Sequence, residues 1–545
     1  MLEFIDRRLV FSKKNLLAAG AVVLLWPALL VHLGLVALYS DEGIRALVAL
    51  EMDISGNYIV PTLFGELYHN KPPLYNWLLL LVFKLMGNAD EFTARLPTVV
   101  FLLAFAISIY FFVKKMALPA KNGSGIDRQM PLLTAFAFIT SGRVLFWDSM
   151  LALIDICFSW VMYVMCMIVY RLGEKQSYGR LFTWAYLLAG LGFLLKGLPA
   201  VVCLGLALPL YFFWQKKGRL LFSWTHLGGI VIFVLVVGGY YACYAQRAGL
   251  DGVFATLFNE SAKRTFVQYG LGDTLLHLLT FPFEFIYHFL PWTLLAVYFF
   301  GKNAFQHIRR NKFITWNLLL LLVTVLPYWS SVEIYPRYLF MQVPLLFTVL
   351  LYLHFENKNE NTTLARWVEA ILFVGCLAAL GAVAFPLFWS AVRDIPFLYP
   401  KTVALLTLLT LFTLLYRRWP AHRMMVLVLV LLTLRIGYNW FVLPTRLDVE
   451  CSTQVRRTTL EAVGKLEGRP LFIYKNSLGL QPVTGYYFTR ETGHILREVH
   501  EDFDMEACYL VNVSSYGAEA FEVLDEVRIH WKCGQLQVAR LRTTN

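Results

Sequence analysis

The chain is 545 residues long, 58% of them hydrophobic and only 15% charged, with a net charge of +12. A soluble protein carries about 25% charged residues, so this composition excludes an ordinary soluble enzyme and points to a chain solvated by lipid, where ionised groups are costly. The basic surplus does not describe a nucleic-acid surface, because most Lys and Arg sit in short links between apolar runs, where orientation signals lie.

In chain order, Arg7, Arg8, Lys13 and Lys14 precede an apolar run from Leu16 to Leu38. That run is too long for a cleaved signal segment and has no convincing cleavage site, so it is read as a retained first helix. Residues 40–95 form the first large loop. Its most apolar stretch, Pro72–Met86, is interrupted by Lys84 and falls short of the roughly 20 residues needed to cross a bilayer. The loop is therefore expected on the outer face, as amphipathic helices lying along the membrane. Further spans are expected near 96–114, 130–147, 150–170, 181–195, 198–214, 221–245, 284–300, 313–329, 337–354, 367–390, 400–416 and 423–443. With the first helix this makes about thirteen. The basic links, among them Lys114/Lys115, Lys216/Lys217/Arg219 and Arg417/Arg418, then share the cytoplasmic side, and the odd count places the C-terminus outside.

Residues 445–545 change character. Short alternating runs at Pro470–Tyr474, Tyr509–Val513, Val527–Trp531 and Gln535–Leu541 predict strands, and Thr458–Leu466 predicts a helix. The expected architecture is an all-α polytopic membrane domain over residues 1–444, including outer loop 40–95, followed by a small soluble α/β domain over 445–545 on the outer, periplasmic side. Cys157, Cys166, Cys203, Cys243 and Cys376 lie in apolar spans as small core residues. Cys451, Cys508 and Cys533 match no metal motif; they allow one disulfide without specifying it.

Polar residues crowd the first outer loop. Asp41-Glu42 opens it, and Tyr68-His69-Asn70-Lys71-Pro72-Pro73 closes its extended part. Taken singly, these are ordinary interfacial punctuation. Taken in order, Asp41-Glu42, Gly56-Asn57-Tyr58-Ile59-Val60-Pro61, Lys71-Pro72-Pro73-Leu74 and Ala94-Arg95-Leu96-Pro97 form a series that resembles the first outer loop of the GT-C glycosyltransferases. The resemblance is nearest to the bacterial branch containing lipid A aminoarabinose transferases and relatives of the protein O-mannosyltransferases. It continues at Leu195-Lys196-Gly197-Leu198-Pro199, Arg264-Thr265-Phe266, Leu290-Pro291-Trp292 and Pro336-Arg337-Tyr338-Leu339, covering most of residues 1–350.

The resemblance implies a reaction centre at Asp41 and a second acid at the outer end of a later helix. That acid is Asp148 or Asp155, and Asp148 is preferred as the one nearer the outer surface. It implies donor-phosphate contacts from Lys71, Arg264, Arg337 and Tyr338, with Glu42, Tyr68 and Lys196 in support. Asn70 and Ile44-Arg45 depart from the residues common in aminoarabinose transferases, so the resemblance implies the transfer chemistry without implying that sugar.

The chemistry agrees. Transfer from a lipid phosphate needs cations to stabilise the departing phosphate, and an acceptor hydroxyl needs a base such as a surface carboxylate. An acceptor phosphate would need none. Asp41 and Asp148 could also hold a divalent metal, the one cofactor the sequence suggests. The expected function is transfer of a sugar from a polyprenyl-phosphate donor to a cell-envelope lipid or glycan, less readily a protein, by a multi-pass enzyme of the bacterial inner membrane with a cytoplasmic N-terminus and no nucleic-acid partner. The rivals are a secondary transporter, against which stands the absence of an internal repeat, and a non-catalytic envelope scaffold. Plainer roles are assigned elsewhere: Lys196 could simply snorkel, His277 and His288 are interfacial, Glu333 is a solvated loop residue, and Asp502-Phe503-Asp504 is a loop despite its likeness to a nucleotide-sugar metal motif.

Overall fold

The computed structural model describes residues 13–116, 128–262, 270–332, 334–479, 481–529 and 533–542. It is a multi-span helical membrane protein with a small C-terminal sheet domain. Among the described residues, nine helices are long and apolar enough to cross a bilayer, from Lys13–Leu30 to Pro420–Leu447. A tenth span is a broken one: Met130–Ile139 and Gly142–Met150 meet at 48°. The remaining three expected spans are helical but fail on length or composition. Pro199–Trp214 is short, and Gln342–Asn359 ends in the polar run Glu356-Asn357-Lys358-Asn359. The expected span at 284–300 is divided: helix Gly270–His288 stops before Pro291, which cannot donate to a continuing helix, and Trp292–Phe300 is 3-10.

Inside the bundle, Arg435 is fully enclosed and spends its donors on backbone. It donates to Ala28 O at 3.1 Å and to Leu145 O in the broken span. One turn later Asn439 donates to Pro27 O and Ala28 O at 3.2 and 3.0 Å. The last membrane helix thus satisfies carbonyls at the end of the first, the condition for a chain break at membrane depth.

The outer loop contains helix Asp41–Ser55, a two-residue hairpin pairing Thr62–Leu63 with Glu66–Leu67, and helix Leu74–Met86. The hairpin turns through Phe64 and Gly65, both at positive φ (57° and 78°). Buried Glu51 holds it to the helix, accepting from Thr62 Oγ1 (2.6 Å), Phe64 N (2.7 Å) and Gly65 N (3.1 Å). Burial still pushes the Glu51 carboxyl above its ordinary pKa, against the pull of these donors.

The expectation that this loop lies along the membrane is corrected for its first helix. Nine residues of Asp41–Ser55 are buried, and the C-terminal domain covers it. Helix Pro482–Thr492, unforeseen in the sequence, lies so close that a Cβ on Gly43 would come within 2.8 Å of Val483. A Cβ on Gly485 would meet the Phe64 ring at 2.3 Å, so only glycine allows the hairpin tip to enter.

The domain's five strands run in the order Glu498–Val499, Leu471–Tyr474, Cys508–Val511, Gln535–Leu541, Phe521–Arg528. The first three are parallel and the last two join antiparallel. Leu471, Ile473, Leu510, Val527 and Val538 form its core beneath helix Cys451–Gly464. The strand expected at 527–531 instead runs Phe521–Arg528 and is paired through its length with Gln535–Leu541; residues 530 and 531 lie outside the described set. Cys451 and Cys533 form a disulfide, 82 residues apart, and Cys508 is a buried free thiol.

A buried ion pair ties the start of the loop to helix Glu91–Met116. Glu42, fully buried, receives Arg95 through two bonds, Nε to Oε1 and Nη2 to Oε2, each 2.9 Å. It also accepts from Tyr39 N at 2.9 Å and Ala152 N at 2.7 Å. Arg95 donates further to Leu33 O, Val36 O and Ala37 O at 2.8–3.0 Å. Removing one partner of such a pair costs about 3–5 kcal/mol, because the other charge stays buried and unpaired. Glu42→Ala should lower unfolding stability by that amount in detergent; a denaturation midpoint equal to wild type would refute the assignment.

Candidate active site

Asp41 is the first residue of helix Asp41–Ser55 and is half-exposed. Its Oδ2 accepts from Arg337 Nη2 at 2.8 Å. Arg337 comes from the 3-10 turn Pro336–Leu339, 296 residues away in sequence. Its Nε lies 3.4 Å from Oδ2 of Asp155, in the first turn of helix Ile154–Glu174. The other oxygen of Asp155 accepts from Lys196, at the end of helix Tyr178–Lys196. One guanidinium therefore joins two carboxylates, and the buried one has a second cation.

Aromatic rings fix these cations. Lys196 Nζ stands 4.0 Å from the centre of the Tyr338 ring and 5.3 Å from that of Phe158. Arg337 lies over Tyr335 at 4.4 Å and over Tyr338 at 5.7 Å. Cation–π contact holds a guanidinium or ammonium in one place while leaving its hydrogens free to bond an anion.

Beside this network lies a cavity of about 320 Å³. Lys71, Lys196 and Tyr338 supply polar lining, and Met162, Val202 and Leu206 supply apolar lining. Lys71 comes from the turn before helix Leu74–Met86, and its charge is felt at Asp155. Cationic groups thus border an apolar chamber between helices, the chemistry of a lipid anion.

The structure separates the two candidate acids. Asp148, in the broken span, is buried against Arg143, whose Nε donates to its Oδ2 at 2.6 Å. It is near enough to interact electrostatically with Asp155 and Arg337, but its ion pair is with Arg143. Depth in the membrane ranks Asp148 first; hydrogen bonding and ion pairing rank Asp155 first, because it shares Arg337 with Asp41. Glu42, next to Asp41, is fully buried and its oxygens are taken up by Arg95, Tyr39 N and Ala152 N. Tyr68 is buried, with the Arg45 guanidinium 5.7 Å from its ring centre. Arg264 lies outside the described residues, as does Glu333.

One motif of the resemblance and the acidic loop of the C-terminal domain have structural places. Trp292 is buried and donates to Thr140 Oγ1 at 3.0 Å, while Leu290 O accepts from Gly142 N at 2.7 Å, so Leu290-Pro291-Trp292 braces the broken span. Phe503 of Asp502-Phe503-Asp504 stacks on Tyr474 at 4.6 Å, in a loop. Among the described residues, no three His, Cys, Asp or Glu side chains gather in a metal-binding group. Arg95, Arg143 and Tyr335 were given no role by the sequence. Arg95 stood within a recognised motif, whereas nothing local marked the other two.

Comparison with known proteins places these features in context. The family model described as dolichyl-phosphate-mannose-protein mannosyltransferase matches residues 70–241, which include Lys71, Asp155 and Lys196. An undecaprenyl phosphate-alpha-4-amino-4-deoxy-L-arabinose arabinosyl transferase of Pseudomonas paraeruginosa is 26% identical over 240 residues, 41% of each chain. An uncharacterized protein of Aquifex aeolicus is 25% identical over 224 residues, 41% of this chain and 48% of that one. The matched segment spans less than half the length of either curated relative. In overall fold the chain is similar to ArnT from Cupriavidus metallidurans bound to undecaprenyl phosphate, with TM-score 0.67, 16% identity and coverage of 97% of this chain and 98% of that one. ArnT in the apo state gives 0.64 at the same identity, covering 96% and 97%.

Cys203 lines the cavity, whereas Cys243 is exposed elsewhere. A long-chain alkyl phosphate seated on Lys71 and Lys196 should slow alkylation of Cys203 by a membrane-permeant maleimide and leave Cys243 unaffected. Equal rates at Cys203 with and without the lipid would show that the chamber does not receive the chain.

Proposed function

We propose that this chain, which resembles the GT-C membrane glycosyltransferases of the aminoarabinose transferase and protein mannosyltransferase type and has the ArnT fold, transfers a sugar from a polyprenyl-phosphate donor to an acceptor of the cell envelope. The observation that carries this reading is the apolar cavity bordered by Lys71, Lys196 and Tyr338, beside the Asp41–Arg337–Asp155 network. The polyprenyl tail occupies the apolar lining, and its phosphate meets the two lysines.

In the reaction, the bond between the sugar C1 and the phosphate oxygen breaks as C1 bonds to the acceptor oxygen. The electron pair of the broken bond stays on the lipid phosphate, where Lys71, Lys196 and Arg337 stabilise the added charge. Asp41, half-exposed at the opening, takes the proton of an acceptor hydroxyl. Asp155, buried and ion-paired to Lys196 and Arg337, acts as the second acid by holding both cations in place. Asp148 instead steadies the broken span through Arg143. A metal, if the enzyme uses one, would have Asp41 and Asp155 as its nearest protein carboxylates, although Arg337 already occupies the position between them.

The acceptor is a lipid or glycan of the envelope, and the site opens on the periplasmic side of the inner membrane. Support comes from the Cys451–Cys533 disulfide, which suits an oxidising compartment, and from the basic links gathered on the opposite face. The transporter reading is disfavoured because the unusual charges cluster at one end of the bundle around a covered loop, where a transporter would place them at the midplane.

In a reconstituted assay with polyprenyl-phosphate sugar, Asp41→Asn and Asp155→Asn should each abolish transfer, while Asp148→Asn keeps turnover and loses thermal stability. Activity in both dead-variant candidates would sink the proposal. Lys71→Ala should weaken donor use about ten- to a hundredfold, the worth of a charge-assisted bond of roughly 1.5–3 kcal/mol, with partial recovery in Lys71→Arg. Tags at residues 60 and 542 should be accessible from the periplasm; labelling of residue 60 from the cytoplasm would invert the topology.

A further inference from the structure

The segment Leu33–Ser40 leads from the first membrane helix to Asp41 without regular helical bonding, so its backbone groups need other partners. Arg95 of the bundle takes the carbonyls of Leu33, Val36 and Ala37. The N–H of Leu38 is taken by the C-terminal domain: it donates to Tyr487 Oη at 2.9 Å. Tyr487 in turn donates to Glu91 Oε1 at 2.9 Å. Glu91 is buried and held by Arg456 at 2.9 Å and Arg490 at 3.6 Å, both from the C-terminal domain. Two side chains from opposite sides therefore grip one short stretch of backbone.

The grip meets local strain. Ser40, immediately before Asp41, sits at φ 49° and ψ −120°, a region that non-glycine residues rarely occupy. Such a strained residue persists only where its surroundings over-determine it. Relaxation of Ser40 would swing the first turn of helix Asp41–Ser55 and carry the Asp41 carboxylate off Arg337. Gly43, against Val483 in that same turn, shows how tightly the domain closes on it.

We propose that Tyr487 is a positioning residue, through which the C-terminal domain holds Ser40 in its strained conformation and Asp41 in its reacting place. This rests on the reading of Asp41 as the reacting acid. Tyr487 touches neither donor nor acceptor; it acts by bonding the backbone three residues before the acid. The domain is accordingly part of the catalytic assembly, although its own sheet lies outside the membrane bundle.

The test uses the full-length reconstituted protein and removes one oxygen. Tyr487→Phe should lower kcat about tenfold, the loss of one hydrogen bond to a charge-linked network, with donor KM within about twofold of wild type. Amide hydrogen exchange should rise over residues 36–42 and stay unchanged in the membrane helices. Tyr487→Phe/Ser40→Gly should recover part of the lost kcat, because glycine adopts the Ser40 conformation without strain. A purely structural tyrosine would lower the melting temperature with no such recovery. Wild-type kcat in Tyr487→Phe beside an inactive Asp41→Asn overturns this inference alone, as does a loss that Ser40→Gly does not restore. Full activity in Asp41→Asn would instead overturn the reading of the acid on which it rests.

Discussion

The buried Glu42–Arg95 pair is the constraint on which the outer half of this molecule depends. Two ions enclosed in protein are stable only when every remaining donor and acceptor is satisfied. Here those requirements are met by the backbone of Leu33–Tyr39 and by Ala152 N. The hydrogen bonds that offset the cost of burying the pair join three chain segments that otherwise have no shared secondary structure: the exit of the first helix, the start of the loop helix and the extended link after the broken span. Asp41 and Asp155 flank that junction, one residue before Glu42 and three beyond Ala152. Their registration through Arg337 follows from a structural ion pair that itself does no chemistry.

The charge arrangement around the cavity follows the same logic at lower burial. Asp155, Lys196 and Arg337 compensate one another, so the lysine and arginine tolerate partial burial. The aromatic faces of Tyr335 and Tyr338 contribute without neutralising charge. Under the proposed reaction, an anion meets cations already oriented, and little reorganisation is needed as charge develops on it.

Much of the bundle was legible in the sequence because apolar length and basic punctuation are local properties. Nine of the thirteen expected spans coincide with helices long and apolar enough to cross and a tenth with the broken pair, whereas those near 198–214, 284–300 and 337–354 are short, divided or polar-ended. The short loop segment Leu74–Met86 was recognisable for the same reason. Contacts between distant segments were not. Arg143 stands five residues from Asp148 and becomes its partner where the short helix Gly142–Phe146 gives way to the 3-10 turn Asp148–Met150. Depth alone could not distinguish that paired acid from Asp155, whose neighbours come from residues 196 and 337. Helix Pro482–Thr492 is not legible in the sequence because its buried face, which includes Gly485, Tyr486 and Tyr487, is covered by distant segments, the loop helix and helix Cys451–Gly464.

The close seating of Val483 on Gly43 has a consequence for synthesis. Tyr487 reaches back across 449 residues to bond Leu38, so the loop helix leaves the ribosome long before the surface that covers it exists. At about 5–20 residues per second, that wait is on the order of half a minute to a minute and a half. During it, the apolar flank around Gly43, Leu47 and Phe64 stands uncovered beside newly inserted membrane helices. A nascent chain, or one truncated before helix Pro482–Thr492, thus carries this flank without its cover. Synthesis of the C-terminal domain then becomes a quality gate: an unfinished product would leave an apolar helix face open to misassociation.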